Sequence, residues 1–153
     1  MLKENKGVTL VALVITIIVL LILAGVTLSM VMGESGIFGK ANNANVATRL
    51  ADAKDAVNLA VMEATAAQYS DKDGSIVSDK LFTGTAADDI ALVNSQLNGY
   101  FIDASGKVFK GSDATTGTAI KDAKSAQLTV TITVDTTKHS AKTSFTGDAT
   151  ENK

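Results

Sequence analysis

The chain has 153 residues, a net charge of −2 and 46% hydrophobic side chains, enough for one folded domain. Its mildly acidic balance argues against a general nucleic-acid binder, which carries a basic surface. The absence of cysteine removes thiol nucleophiles, cysteine-held zinc, disulfide staples and a lipidated N-terminal cysteine, though a domain of this size holds without staples.

From Gly7 to Met32 no side chain is charged, and sixteen of these residues are Val, Ile or Leu. A bilayer core of ~30 Å is crossed by about 20 apolar helical residues. At ~0.3–0.6 kcal/mol each, the sixteen favour the membrane by roughly 5–10 kcal/mol. The polar groups are the hydroxyls of Thr9, Thr16, Thr27 and Ser29, which can bond back to helix carbonyls. A helix apolar on all sides needs lipid or protein around it. A secretory signal peptide is shorter, with an apolar region of about 7–15 residues and a small-residue cleavage site beyond it, whereas Ala24-Gly25 lies inside this run. A single-pass anchor fits the run as it stands. Lys3 and Lys6 precede it and no basic residue follows until Lys40, so the N-terminus is expected in the cytoplasm and residues 34–153 outside.

The junction before the run reads Lys6-Gly7-Val8-Thr9-Leu10-Val11-Ala12. It resembles the processing site of prepilins, the precursors of type IV pili and related filaments, and the likeness covers about the first 33 residues. The resemblance implies a cytoplasmic leader over residues 1–7, cut by a prepilin peptidase between Gly7 and Val8, followed by methylation of the new Val8 amine. Removing that leader takes the net charge to −3. It further implies an apolar membrane or filament-core helix over 8–33 and assembly with other copies by the pilus machinery. Five residues into the mature chain, where the family usually carries a glutamate that pairs with a neighbour's N-terminal amine, this sequence has Ala12. The best-known pilins close their C-terminal region with a disulfide, which this chain cannot form. Small residues offer another means of assembly: Ala12 and Thr16, and Gly25, Ser29 and Gly33, recur every fourth position, a spacing that lets helices approach closely.

Gly33, Gly36 and Gly39 punctuate the next stretch, each weakening a helix by about 1 kcal/mol relative to alanine, so residues 34–39 are expected to break or bend the helix as a hinge. Over residues 40–70 helical periodicity returns. Val46, Leu50, Val57, Val61 and Ala64, with Ala53 and Ala60, make an apolar face opposite Arg49, Asp52, Asp55 and Glu63. The resemblance casts this as the amphipathic half of the long pilin helix, covering the sheet of a head over residues 71–153.

Within the head, Asp71-Lys72-Asp73-Gly74-Ser75 reads as a turn, lacking the later ligands of a calcium loop. Thr85 is placed to cap a helix over 86–97, with Asp88 and Asp89 in its first turn, Ile90, Val93 and Leu97 as its buried stripe, and Gly99 beyond its end. Tyr100-Phe101-Ile102 and Lys107-Val108-Phe109 flank Asp103–Gly106 as a hairpin. Gly111 to Ser125 reads as an exposed polar loop. From Leu128 to Val134, Leu, Val and Ile alternate with three threonines, the pattern of a half-buried antiparallel strand. Asp135–His139 turns toward a weaker strand near Lys142–Phe145, and Gly147–Lys153 is expected to fray. Helix first and a small antiparallel sheet packed on it is an α+β arrangement, also what the resemblance implies.

Nothing suggests catalysis, a metal or a cofactor. The lone His139 falls in a turn and is expected at the surface, and neither a G-x-S-x-G elbow nor a phosphate-cradling glycine loop is present. Phe38 is the sole aromatic residue before Tyr69, too few for conduction along stacked rings. Two classes of function remain. One is a structural filament subunit: major pilin, minor pilin, or pseudopilin of a secretion or DNA-uptake system, whose head adheres, binds DNA or resists shear. The other is a membrane-anchored extracellular interaction protein that never polymerises.

Overall fold

The computed structural model describes residues 5–33, 36–69, 80–122 and 124–147, and the chain is α+β. Two compact units divide it, residues 1–44 and 45–153, with the boundary inside the second helix. The turn expected at Asp71–Ser75 lies outside the described residues, as does the expected tail beyond Gly147.

The first unit is dominated by α1, Asn5–Met32. Its stretch of mean hydropathy 3.1 is long and apolar enough to cross a membrane. The hydroxyl of Thr16 donates to the Leu13 carbonyl (2.8 Å), and that of Thr27 to the carbonyls of Leu23 (2.9 Å) and Ala24 (3.0 Å), so neither needs a partner in lipid. The helix stops at Met32 and α2, Ile37–Ala67, begins five residues later. Gly36 is buried here, its N–H on the Gly33 carbonyl (2.7 Å) and its own carbonyl accepting from Lys40 (3.0 Å). A Cβ at Gly36 would lie 2.6 Å from the carbonyl oxygens of Met30 and Val31, so only glycine lets the chain pass this close to the end of α1.

The second unit holds the hydrophobic core. Leu50, Ala53, Val57, Ala60, Val61 and Ala64 form the buried stripe of α2, while Arg49, Asp52, Asp55 and Glu63 are exposed. The alanines keep helix propensity high and let the neighbouring elements come close. The stripe joins Phe82, Ile90, Val93, Ile102, Val108, Ile120, Leu128 and Val130 in one cluster.

Helix α3, Ala86–Gln96, packs on strands β1 and β4. Thr85 occupies its N-cap position but makes no side-chain cap. Instead Asp89, buried within the helix, accepts the backbone N–H of Thr83 at 2.8 Å, so the carboxylate pins the incoming chain from inside the first turns. Ile90 and Val93 are buried as expected, and Leu97 is partly so.

Two antiparallel sheets replace the single sheet expected. The first has the order β1-β2-β3, from Tyr100–Ile102, Val108–Lys110 and Thr118–Ala119, with Ile102 opposite Val108 and Phe109 opposite both Phe101 and Ala119. The outer edge of β1 is closed by Asn94 of α3, whose Nδ2 donates to the Ile102 carbonyl (2.8 Å) while its Oδ1 accepts the Ile102 N–H (2.9 Å). A side-chain amide thus stands in for a neighbouring strand. The second sheet pairs β4, Thr129–Asp135, with β5, Ser140–Thr146, in unbroken register from Thr129 opposite Thr146 to Asp135 opposite Ser140. The last strand is therefore longer than its sequence suggests, because its partner supplies the alternating apolar face it lacks.

The expected loop over Gly111–Ser125 is corrected by β3 and by Ile120, which is fully buried. Three backbone hydrogen bonds close a ring here: Val108 N–H to the Leu128 carbonyl (3.0 Å), Leu128 N–H to Ile120 (2.8 Å) and Ile120 N–H to Val108 (3.0 Å). All three side chains are fully buried, so three distant segments meet at one apolar point with their polar backbone satisfied.

On β5, Thr143 donates its hydroxyl to Asn58 of α2, and Lys54 sits 5.7 Å above the Phe145 ring. Fully buried Gln68, just past α2, donates to the His139 carbonyl (3.2 Å). His139 is half-buried, with a positive φ of 48° at the β4–β5 turn.

Candidate processing and assembly segment

The candidate residues fall on α1 and the turn after it. Lys6, Gly7 and Val8 lie in the first turns of α1, and a Cβ at Gly7 would meet nothing within 4 Å. Among the described residues, nothing packs against Gly7, and Val8 is exposed.

Beyond it, the large apolar side chains from Val8 to Met30 are 46–73% exposed. They point in every direction around the helix, and none of the most apolar eighteen-residue window is buried. An isolated helix of this kind cannot stay bare in water: at ~1.5–3 kcal/mol per large apolar side chain, lipid or another protein surface must cover it.

The small residues distribute along one rod. Thr9, Leu10, Ala12, Leu13 and Thr16 line a shallow apolar depression near its start. Gly25 is open, with no atom within 4 Å of an added Cβ, so its own unit imposes no requirement for glycine there. Ser29 and Gly33 approach the second end, where the Gly33 N–H bonds to the Ser29 carbonyl (3.2 Å). Gly33 and Gly36 bracket the interruption between the helices, and Gly39 lies in the first turn of α2.

A second depression is lined by Thr27, Ser29, Met30 and Val31 of α1, by Gly33 and Gly36, and by Ile37 and Lys40 of α2. Sequence periodicity does not indicate it, since it arises where the helix is interrupted. The signal available was the glycine cluster itself.

In the head the functional groups are turn-forming aspartates. Asp103 accepts from the Ser105 hydroxyl (2.7 Å) and the amides of Ser105 (2.8 Å) and Lys107 (2.9 Å). Partial burial works to raise its carboxyl, but these hydrogen bonds and the Lys107 charge outweigh it and hold the group below its ordinary value. Asp113 accepts the amides of Thr116 (2.7 Å) and Thr115 (2.8 Å) and the Thr116 hydroxyl, and the Thr116 bonds above all hold it low. Asp122 and Asp135 accept from backbone amides in the same way. These carboxylates are engaged in holding loops. Among the described residues no group of three or more His, Asp or Glu side chains is arranged to hold a metal ion. Compared with known proteins, the chain matches no protein-family model, no curated protein and no solved structure.

Proposed function

We propose that this chain is the precursor of a structural subunit of a type IV pilus or pilus-like extracellular filament. In this reading the precursor rests in the cytoplasmic membrane through α1. Prepilin peptidase cuts between Gly7 and Val8, the Val8 amine is methylated, and the assembly machinery stacks copies with their apolar helices inward and heads outward. The observation that carries it is the Lys6-Gly7-Val8-Thr9-Leu10 junction set directly at the start of an apolar helix that is exposed among the described residues. A major pilin, a minor pilin and a pseudopilin all use such a segment.

Ala12 favours a second reading, a single-pass anchor for an extracellular interaction domain, because it lacks the carboxylate that registers neighbouring subunits in the family. Mass spectrometry of the mature N-terminus separates the two. A chain beginning at methylated Val8 supports the filament subunit, and an intact leader on all of the protein defeats it. Gly7→Leu should block cleavage and filament formation together.

A further inference from the structure

We infer that Asn98-Gly99, at the exit from α3, is a self-modification site, where the Asn98 carboxamide is lost as ammonia and an aspartyl or isoaspartyl linkage takes its place. The inference stands apart from the membrane and filament readings.

The residue pair supplies the chemistry. Of the eight asparagines in the chain, Asn98 alone precedes a glycine. An asparagine carboxamide is attacked by the backbone nitrogen of the next residue, and a Cβ on that residue crowds the approach. Here the Gly99 nitrogen gives up its proton and bonds to Cγ of Asn98, the Cγ–Nδ2 bond breaks, and ammonia leaves with that proton. Water, the one co-reactant, then opens the five-membered imide on either side. Opening at Cγ leaves aspartate. Opening at the backbone carbonyl carbon of residue 98 leaves isoaspartate, with the chain running through the former side chain.

The fold leaves the reacting atoms free. Asn98 and Gly99 are both exposed, in the connection from α3 to β1. Among the described residues nothing accepts the Gly99 N–H or bonds the Asn98 carboxamide. A Cβ at Gly99 would meet nothing within 4 Å, so the approach is open. Asn94, one turn earlier, is the contrast: it lies within α3 with both ends of its carboxamide bonded to Ile102.

The product acts on the surrounding fold. A carboxylate at this position stands at the negative end of the α3 dipole. Isoaspartate adds a carbon to the backbone just before Gly99, whose carbonyl accepts the Gly111 N–H (3.0 Å) beside the Tyr100–Lys110 pair. Conversion therefore loosens the outer end of β1.

In the experiment, the full-length chain is incubated in detergent at mildly alkaline pH beside a synthetic peptide of residues 95–102. Peptide mapping by mass spectrometry locates and times the conversion, while protection of the buried Ile120 amide reports that the head is folded. The chain should convert at Asn98 ahead of every other asparagine. Its rate should lie within about tenfold of the peptide's, the factor lost when one residue's backbone is held in place. Mildly acid buffer should slow the reaction, and Asn98→Gln should abolish it, because the longer side chain closes its ring poorly. Amide exchange at Gly111 should quicken in the converted chain. A folded chain still unmodified at Asn98 after the peptide has reacted overturns the site, as does ammonia loss spread evenly over the asparagines. Conversion with Gly111 exchange unchanged overturns the link to β1.

Discussion

Replacing Asp122 with alanine tests how the head closes around its core. Asp122 is only 9% exposed, and its Oδ1 accepts the amides of Lys124 and Ala126, both at 2.8 Å. Its backbone bonds the same turn, N–H to the Ala126 carbonyl (2.8 Å) and carbonyl from Ser125 (3.0 Å), while Ser125 takes a positive φ of 65°. This turn carries the chain from Ile120 to Leu128, two corners of the buried hydrogen-bonded ring. Alanine leaves two amides without their acceptor, at ~1–3 kcal/mol for each that stays dry. With some rehydration of this partly exposed turn, the expected loss is about 2–4 kcal/mol, or roughly 1–2 M in the urea midpoint for a head of this size. Asn keeps an acceptor at the same atom and should recover about half the loss, since its neutral oxygen accepts more weakly than a carboxylate. Both tyrosines, Tyr69 and Tyr100, lie in the second unit, so tyrosine fluorescence of the full chain in detergent reports the head without interference from α1. An Asp122→Ala midpoint equal to wild type refutes the reasoning. Equal damage by Asn and Ala would show that the charge matters and the acceptor geometry does not.

Three further outcomes follow. Gly36→Ala forces a Cβ within 2.6 Å of two backbone carbonyl oxygens that cannot yield, so the turn should reorganise at a cost of ~1–3 kcal/mol, seen as altered Cα chemical shifts at Gly33 and Ile37; unchanged shifts contradict the packing. A Cβ added at Gly25 meets nothing within 4 Å, so membrane insertion of Gly25→Leu should persist while filament yield falls; undiminished yield removes close packing at Gly25 from the proposed assembly. Asp103 and Asp113 both have carboxyls lowered by folding, so the stability they contribute is present above the unfolded value of ~3.9 and is lost as pH falls through the lower folded value. Amide exchange at Ser105, Lys107, Thr115 and Thr116 should therefore quicken, beyond its intrinsic pH dependence, only below about pH 4, with a flat response from pH 5 to 8.

The parts of the fold legible in the sequence are those with several periods of one pattern. The α2 stripe from Leu50 to Ala64 and the alternation from Leu128 to Val134 each repeat often enough to define a face. Ile120 was not legible because a single large apolar residue within Thr118–Ala126 defines no period, and its burial is decided by the distant Val108 and Leu128. Thr85 has the right residue type for a cap, yet Asp89 competes for the same incoming strand and, as a carboxylate accepting from Thr83, forms the stronger bond. A signal for the other turns was present: Asp103-Ala104-Ser105, Asp113-Ala114-Thr115 and Asp135-Thr136-Thr137 each place an aspartate two residues before a Ser or Thr whose amide it accepts. Of the candidate site, the junction and apolar rod are plain in the sequence. The recess beside Gly36 is not, because it depends on how closely two helix ends approach.

The two units solve the problem of burial in opposite ways. The head closes its own core, using Asn94 to seal a strand edge and aspartates to fold its turns, with no cysteine in the chain to staple it. The rod leaves its apolar surface entirely for something else to cover. Under the proposed reading that cover changes from lipid to neighbouring rods, two environments of similar polarity, so the hydrophobic effect alone barely distinguishes them. The preference for neighbours then has to come from fit. Ala12 sharpens this requirement: a buried carboxylate would cost several kcal/mol unless paired, and its absence removes both that cost and the partner-specific attraction that offsets it. The shallow depression at Thr9, Leu10, Ala12, Leu13 and Thr16 includes that position, and in the proposed filament a close apolar fit there, together with the small residues Gly25, Ser29 and Gly33, would set the register between rods.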